Sequence, residues 1–338
     1  MSKKDKDGKK QVAEAAAVVV KQTKKVNAIE QEMARLVADI QKRHGDGIIT
    51  TGDKVPDIQR LPTGIHKLDK ILRGGLPMGR IVEFWGPVSA GKSSLVFKVV
   101  GHVQRMNPGA RIAYYDLENT YDKAWARRCG ADPARLLRVG AVSAEEAGDL
   151  LLRMVRDKWD MVIVDSLVEL IPESVLEKET GKQTYAPVAN VLSSLLPKVV
   201  VLQSSSPTIV ILINQVRDMI GFTMGKGKKA PGGNALYHLD SIRLRLQRKE
   251  PITGALVEDS WLKLLKAVGI NKIRPKENYG YTLAIKVVKS KVSREGAQCR
   301  LPVLFDIGIL NEGGGKHAKE DSSAVHSSGN VAPTLDTR

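Results

Sequence analysis

The chain has 338 residues, of which 42% are hydrophobic and only 4% aromatic, so one large domain or two smaller ones would rest on an aliphatic core. Lys and Arg number 53 against 37 Asp and Glu, and the formal net charge of +16 favours a polyanionic partner, nucleic acid first. Two cysteines exclude a disulfide framework, and no apolar run approaches the roughly 18 residues of a membrane span, so we expect a cytoplasmic protein without membrane contact.

The N-terminal region divides into two predicted segments. Residues 1–26 are rich in lysine and simple in composition, which predicts a basic flexible arm or, as the alternative, a solubilising tail without a role. Residues 27–60 are predicted to form a helix and a linker. Asn27 and Glu30 have capping-box spacing at the helix start, and Gly45 offers a stop. The helix should pack on its own domain or on a neighbouring subunit through an apolar stripe of Ile29, Met33, Leu36, Val37 and Ile40.

Short apolar runs alternate with helical stretches in the predicted core, residues 61–312. Helices are expected at Ser93–Met106 and Ala144–Asp157, between strands at Ile81–Trp85, Ile112–Tyr115, Met161–Val164 and Ile209–Ile213. Nearly continuous apolar strands that alternate with helices are typical of a parallel sheet buried on both faces. The fold class is therefore α/β, with a mostly parallel sheet covered by helices on both sides.

The second half of the core predicts an extension of this sheet. Residues 242–247 alternate between apolar and polar side chains, as in a half-exposed strand, and Thr282–Lys291 and Gln298–Asp306 should be further strands at the far edge. Residues 250–278 form an enlarged connection with a short extra helix around Trp261 and Leu265. The low-complexity segment 313–338 is predicted to be a disordered tail.

A phosphate-binding loop is the strongest motif in the sequence. It matches G-x-x-x-x-G-K-[ST] and lies between a predicted strand and a predicted helix, as that motif requires. Backbone N–H groups and the helix N-terminus would hold phosphate oxygens, the Lys would neutralise the β- and γ-phosphates, and the Ser hydroxyl would ligate Mg²⁺. The ATP-binding residues are Gly86, Pro87, Val88, Ser89, Ala90, Gly91, Lys92, Ser93 and Ser94.

Two carboxylates follow predicted core strands. Asp165 ends the strand Met161–Val164, where P-loop proteins hold the metal, so Ser93 and Asp165 are the predicted Mg²⁺ ligands. Glu118 follows the strand Arg111–Leu117, which is expected to lie next to the strand of the phosphate loop, and could orient or deprotonate an attacking water. The alternative for Glu118 is a solvated loop acid.

Six motifs in order make the chain, from about Ile29 to Ile309, resemble the RecA family of homologous-recombination ATPases. They are Gly75-Leu76-Pro77-Met78-Gly79-Arg80-Ile81-Val82-Glu83, Asp116-Leu117-Glu118, Val164-Asp165-Ser166, Asn214-Gln215-Val216-Arg217, Gly232-Gly233-Asn234-Ala235-Leu236 and Val287-Val288-Lys289-Ser290-Lys291. The resemblance implies a RecA-type ATPase core that polymerises on DNA with ATP between subunits. The usual C-terminal domain is missing, so the chain is more similar to phage-encoded members, which would act in the host cytoplasm.

The resemblance also implies roles for individual residues. Glu118 would activate water as the catalytic glutamate, and Asp122 and Trp125 would contact and stack on the adenine. Lys289 and Lys291 would reach across the filament interface to the neighbour's ATP. Gln215 precedes the second expected DNA loop, and its amide can hydrogen-bond a γ-phosphate oxygen and so report whether ATP or ADP is bound.

Two segments are similar to the family's DNA-binding loops. The first lies near residues 177–187 and contains Tyr185, which could wedge between or stack on bases. The second lies near residues 217–233 and combines an apolar wedge with cations for phosphates. Its expected DNA contacts are Arg217, Ile220, Lys226, Lys228 and Lys229.

The sequence therefore predicts an ATP-dependent DNA recombinase. It would form helical filaments on single-stranded DNA, pair with homologous duplex and exchange strands, with ATP and Mg²⁺ as cofactors. Two alternatives remain open: a mediator or paralogue that regulates filaments without pairing activity, and a ring-forming helicase on the same core.

Overall fold

The computed structural model describes residues 3–44, 49–140, 142–176, 187–215 and 233–311. The chain divides into two compact units, Met1–Asp57 and Ile58–Arg338. Most of the two expected DNA loops and the whole of the expected tail lie outside the described residues. The same holds for Tyr185, Arg217, Ile220, Lys226, Lys228 and Lys229.

The helices and strands take the following order in the chain. They are α1 (Lys3–His44), β1 (Arg60–Leu61), α2 (His66–Ile71), β2 (Leu76–Pro77), β3 (Ile81–Gly86), α3 (Lys92–Met106), β4 (Ile112–Asp116), α4 (Lys123–Arg128), β5 (Leu137–Val139), α5 (Ala144–Arg156), β6 (Met161–Asp165), α6 (Glu173–Leu176), α7 (Pro187–Gln203), β7 (Ile209–Gln215), α8 (Gly233–Leu239), β8 (Ile242–Thr253), α9 (Asp259–Ala267), β9 (Asn278–Ser290), β10 (Gln298–Leu304) and β11 (Gly308–Ile309).

Helix α1 differs from the expected division of the N-terminal region. One helix runs from Lys3 to His44, so residues 3–26 are helical rather than a flexible arm, and Asn27 lies inside the helix rather than at its cap. The physical reason is composition, because Ala, Lys, Gln and Glu favour helices and the first proline of the chain is Pro56. The helix ends at His44, directly before the predicted stop.

The apolar stripe of α1 is largely open to solvent. Ile29, Met33 and Leu36 are each about half exposed, at 48%, 51% and 55%. Val37 and Ile40 are half-buried. A stripe of this kind on an otherwise polar helix is a surface that other apolar surface could cover.

The central sheet has nine strands, in the order β11-β10-β9-β8-β3-β7-β6-β4-β5. The pairs from β8 through β3, β7, β6 and β4 to β5 are parallel, and β9, β10 and β11 add antiparallel strands at the other edge. This topology confirms the predicted fold class. The four predicted core strands all form, and each runs one or two residues further than predicted. The expectation that the strand before Glu118 lies next to the phosphate-loop strand is wrong, because β7 and β6 lie between β3 and β4.

Helices cover the parallel part of the sheet on both faces. Alternate residues of β3 face opposite sides, so Val82 and Phe84 pack with α2 and α3 while Ile81 packs with α5 and α7. Strands buried on both faces must be apolar throughout, which explains the continuous hydrophobic runs in the sequence.

The enlarged connection after β8 has a small core of its own. Trp261 and Leu265 of α9 are buried against Ile252, Tyr279 and Leu304. The predicted extra helix is therefore confirmed. No helix in the described part of the chain is long and apolar enough to span a membrane.

Candidate active site

The phosphate-binding loop leads from the end of β3 into α3. At two of its glycines, neighbouring atoms leave no room for a Cβ. Gly91 has a φ of +89°, and a Cβ there would lie 2.8 Å from the hydroxyl oxygen of Tyr281. A Cβ on Gly86 would lie 2.3 Å from the carbonyl oxygen of Leu246. A Cβ at Gly86 would therefore displace the neighbouring strand, whereas at Gly91 it would strain the left-handed backbone and move the Tyr281 side chain.

A cavity of about 190 Å³ opens beside this loop. Strands β3, β4, β6 and β7 are parallel, and their carboxyl ends lie on the side of the sheet where the cavity opens. These strand ends bring the predicted site residues together, as at the ligand crevice of open α/β sheets. The lining residues are Val88, Ser89, Ala90, Gly91, Lys92, Ser93, Ser94, Glu118, Asp165, Gln215 and Tyr281.

Lys92 lies in the wall of the cavity with its ammonium on backbone oxygens. The side chain is buried, and Nζ donates to the carbonyl oxygens of Pro87 at 2.8 Å and Gly86 at 3.2 Å. Burial lowers the pKa of Lys92, while Asp165 and Glu118 raise it. Phosphate oxygens in the cavity could replace the carbonyls, and their negative charge would keep the ammonium protonated.

Asp165 is the buried carboxylate at the centre of the site. Its Oδ2 accepts from Ser93 Oγ at 2.6 Å and from the Tyr114 hydroxyl at 2.5 Å. Burial raises the pKa of Asp165, and these two hydroxyl donors oppose that shift. Burial and the neighbouring Asp165 also raise the pKa of Tyr114, which therefore stays protonated and donates.

The oxygen donors at this point suit Mg²⁺ in a nucleotide complex. Ser93 and Asp165 supply one hydroxyl and one carboxylate, and Mg²⁺ is typically held by one or two carboxylates together with substrate phosphates. Among the described residues no group of three or more His, Cys, Asp or Glu side chains could hold a metal by itself. The donor set fits a metal that is held jointly by protein and nucleotide.

Glu118 and Gln215 meet on the far side of the cavity. Gln215 Nε2 donates to Glu118 Oε1, and Gln215 is the register partner of Gly86 across the β3–β7 pair. The predicted water-activating carboxylate and the predicted nucleotide sensor are thus in direct contact. The sequence predicts separate roles for the two residues, and no local pattern specifies their contact.

Asp116 positions the segment that carries Glu118. The buried carboxylate accepts two bonds from the Arg138 guanidinium, at 2.6 and 2.9 Å, and two more from the backbone N–H groups of Thr120 and Tyr121. These bonds hold both sides of the turn after β4. Sequence reasoning used Asp116 only as a motif residue, since the partnership with Arg138 depends on the β4–β5 register.

The two residues expected at the adenine lie beside the cavity rather than in its lining. Asp122 caps α4, and its Oδ1 accepts from the backbone N–H groups of Ala124 at 2.7 Å and Trp125 at 3.2 Å. The half-buried Trp125 donates its Nε1 proton to Ser94 Oγ at 3.0 Å. The indole is therefore tied to the helix that follows the phosphate loop.

Lys289 and Lys291 lie at the end of the sheet away from the cavity, where the parallel strands β3 and β8 begin. Lys289 Nζ donates to Asp240 and to the carbonyl oxygen of Tyr237, and Lys291 Nζ donates to the carbonyl oxygen of His238 at 2.6 Å. This corner adjoins Ile81, the first residue of β3, because Ser241 N donates to Ile81 O. The phosphate loop follows the last residue of β3, about 17 Å further along the strand. The two lysines therefore do not reach the cavity of their own chain.

The site also contains two tyrosines that the sequence does not predict. Tyr114 is bonded to Asp165, and Tyr281 of β9 lines the cavity opposite the phosphate loop. A buried tyrosine hydroxyl needs a hydrogen-bond partner, which is the one signal the sequence offers for Tyr114. The position of Tyr281 beside the cavity depends on the pairing of β9 with β8, which no local pattern in the sequence specifies.

Comparison with known proteins agrees with this arrangement. A family model described as the RecA N-terminal domain matches residues 31–310. Protein RecA of Streptomyces coelicolor is 32% identical over 289 residues, which cover 84% of this chain and 71% of that protein. Protein RecA of Acidothermus cellulolyticus is 32% identical over 288 residues, which cover 84% of this chain and 77% of that protein.

Proposed function

Because the chain belongs to the RecA family, we propose that it is an ATP-dependent DNA recombinase that forms helical filaments on single-stranded DNA and exchanges strands with homologous duplex. Family membership makes it an ATP-binding and DNA-binding protein of recombination and repair. The observation that carries the finer proposal is the single cavity that unites the phosphate loop with Asp165, Glu118 and Gln215.

The chain's own residues account for ATP hydrolysis in this cavity. The phosphate loop and Lys92 bind the β- and γ-phosphates, and Ser93 with Asp165 would hold Mg²⁺. When bound, Mg²⁺ supplies positive charge to the phosphate oxygens. Glu118 orients the attacking water and accepts its proton at a carboxylate oxygen, while the bond from Gln215 holds that carboxylate in place.

Coupling between nucleotide and DNA would run through β7. Gln215 is the last residue of β7, and the expected second DNA loop follows within two residues. A γ-phosphate oxygen would accept the second N–H of the Gln215 amide and shift the start of the loop, while the first N–H still holds Glu118.

A neighbouring subunit would complete the site with Lys289 and Lys291. This part of the proposal is supported by their position away from the cavity of their own chain. They would add positive charge to the phosphates held by that neighbour, as an arginine finger does.

A strand-exchange assay tests the proposal. Purified protein is mixed with circular single-stranded DNA and homologous linear duplex, with ATP and Mg²⁺, and joint molecules are scored. The wild type should form them, and Lys92→Ala, which lacks the charge partner of the phosphates, should not. Glu118→Gln should bind ATP yet lose turnover by ~10²–10⁴-fold.

The alternatives predict other results in the same experiment. A mediator or paralogue would bind single strands and hydrolyse ATP without joint molecules. A ring helicase would unwind a forked duplex with one polarity. Hydrolysis that single-stranded DNA does not stimulate would contradict the recombinase proposal.

A further inference from the structure

The buried tyrosine Tyr114 donates a hydrogen bond to Asp165 from outside the phosphate loop. Its hydroxyl bonds Asp165 Oδ2 at 2.5 Å, and Ser93 Oγ donates to the same oxygen at 2.6 Å. The two donors differ in their exposure to a ligand, because Ser93 lines the cavity whereas Tyr114 is 2% exposed and lies outside that lining. The bond from Tyr114 therefore does not depend on what occupies the cavity.

The register of the sheet brings Tyr114 to Asp165. Across the β4–β6 pair, Tyr114 is the partner of Ile163, and Asp116 is the partner of Asp165. Alternate residues of a strand share a face, so Tyr114 and Asp165 lie on the same face of the sheet. That face packs against α3, which carries Ser93 in its first turn. The carboxylate is thus held between a donor on the sheet and a donor on the helix.

Two aromatic neighbours fix the ring of Tyr114. Its centroid lies 5.1 Å from that of Phe97 on α3 and 5.7 Å from that of Tyr121, and the rings of Phe97 and Tyr121 are also 5.7 Å apart. Rings at these separations attract one another, and a closely packed core leaves a buried ring little freedom to move. The hydroxyl is therefore in place before a nucleotide enters the cavity.

Packing alone does not account for a tyrosine at position 114. Phenylalanine would fill the same space and keep both ring contacts. A buried hydroxyl lowers stability unless it has a hydrogen-bond partner, and the partner of the Tyr114 hydroxyl is Asp165. The contribution that distinguishes Tyr114 from phenylalanine is therefore made to this carboxylate.

We infer that Tyr114 is a positioning residue for Mg²⁺, which fixes the carboxylate of Asp165 in the orientation that serves the metal of the nucleotide complex. The inference rests on the proposed function, which assigns ATP and Mg²⁺ to the cavity. Ser93 would itself ligate the metal, so a carboxylate held by Ser93 alone would turn with that ligand. The second donor fixes it from the sheet, and loss of such a partner of a metal ligand typically lowers metal affinity 10–100-fold.

The test compares two variants of the full-length chain that each lose one buried hydroxyl from β4. Tyr114→Phe removes the bond to Asp165 and keeps the ring. Tyr115→Phe is the matched control, because Tyr115 is the next residue, is fully buried in the core on the opposite face, and directs its hydroxyl at Met154 Sδ, 3.6 Å away. Thermal melts without nucleotide establish that both variants fold.

The measurement is the Mg²⁺ concentration at which binding of a fluorescently labelled ADP is half-enhanced, which involves no hydrolysis. In Tyr114→Phe this midpoint should rise at least roughly tenfold above that of Tyr115→Phe. Affinity for the labelled ADP in EDTA should be the same in both variants, because the phosphate loop is unchanged. A residue with only a structural role would not shift the Mg²⁺ midpoint while it leaves the metal-free affinity intact.

A double-mutant cycle tests whether Tyr114 acts through Asp165. In an Asp165→Asn background, Tyr114→Phe should raise the Mg²⁺ midpoint no further, because the carboxylate that it positions is gone. A further rise of the same size in that background would contradict the inference.

Two other outcomes would overturn the inference. Equal Mg²⁺ midpoints in Tyr114→Phe and Tyr115→Phe would show that the bond to Asp165 does not serve the metal. An equal loss of ADP affinity with Mg²⁺ and in EDTA would show that Tyr114 supports the fold of the phosphate loop instead. If the wild type binds no nucleotide under any of these conditions, the proposed function itself fails.

Discussion

At the scale of single residues, the bond from Gln215 to Glu118 brings the proposed nucleotide sensor into contact with the proposed base. While the amide holds the carboxylate, it cannot donate the same proton to a phosphate oxygen. The arrival of a γ-phosphate therefore offers Gln215 a second acceptor at the end of the strand that leads to the expected DNA loop.

The first prediction concerns this switch. Gln215→Ala should bind ATP nearly normally but lose DNA-stimulated hydrolysis and most of the ATP-dependent tightening on single-stranded DNA. A hydrogen bond to a charged partner contributes about 1.5–3 kcal/mol, or roughly one to two decades in an equilibrium. The measurement is DNA affinity with a slowly hydrolysed ATP analogue and with ADP, and Gln247→Ala on β8 is the control. An unchanged ratio of the two affinities would reduce Gln215 to a positioning role for Glu118.

The second prediction concerns the buried carboxylate Asp165. Its pKa is raised in the folded chain, so between its unfolded and folded pKa values the unfolded state binds fewer protons and stability falls as the pH rises. Asp165→Asn removes this cost. In the absence of nucleotide and Mg²⁺, the variant should be more stable than the wild type at pH 7, and the difference should vanish below about pH 4.

Urea unfolding at several pH values measures the effect of Asp165→Asn. Mg²⁺-dependent ATPase activity should be lost in the same variant, because the carboxylate ligand is gone. A variant that is less stable than the wild type at pH 7 would mean that the bonds from Ser93 and Tyr114 outweigh the cost of burial.

At the scale of elements, the sheet separates the cavity from Lys289 and Lys291. Strand β3 runs from the corner that holds these lysines to the phosphate loop, and its register with β7 and β8 fixes both ends. A rigid strand of this length cannot bend to bring its ends together. Under the proposed function, the lysines would therefore meet a nucleotide that another subunit presents.

The third prediction follows from this separation. Lys289→Ala and Lys291→Ala should retain ATP binding but lose hydrolysis, and mixing either variant with Lys92→Ala should restore part of it. In mixed assemblies, an intact phosphate loop can face intact lysines of a neighbour. The measurement is ATPase activity across mixing ratios, with co-assembly established by light scattering. No recovery in co-assembled protein would leave Lys289 with a structural role on Asp240 alone.

Elements were predictable from the sequence where one local pattern decided them. The phosphate loop and the apolar strands β3, β4, β6 and β7 follow from spacing and hydrophobicity. Contacts that depend on strand register were not predictable. The Arg138–Asp116 pair and the Tyr114–Asp165 bond join residues 22 and 51 positions apart, and nothing local in the sequence specifies either partner.

At the scale of the whole molecule, helix α1 carries three apolar side chains, Ile29, Met33 and Leu36, that are about half exposed. The sequence predicts its apolar stripe but not its length, because the lysine-rich start carries no apolar periodicity and is typical of a flexible arm. Helix propensity alone extends the helix to Lys3, without the packing signal on which the prediction relied.

The fourth prediction assigns the stripe to self-assembly. Replacing Ile29, Met33 and Leu36 with glutamine should hardly change the melting temperature, because these side chains are already about half exposed and glutamine supports helices. Assembly should be lost or strongly weakened. Light scattering and electron microscopy with ATP and single-stranded DNA measure it, and Glu30→Gln, Glu32→Gln and Arg35→Gln form the control. Normal filaments from the stripe variant would contradict this role.

The separation of the two lysines from their own phosphate loop has a consequence for the ends of an assembly. If each complete site takes its lysines from the next subunit, a row of n subunits holds n − 1 complete sites. One terminal subunit then carries a nucleotide that nothing can hydrolyse efficiently, while the subunit at the opposite terminus offers lysines to no nucleotide. The two termini are therefore chemically unequal. ATP would persist longest at the terminus whose nucleotide lacks a neighbour's lysines. Loss of subunits would proceed preferentially from the opposite terminus, where the lysines face no nucleotide.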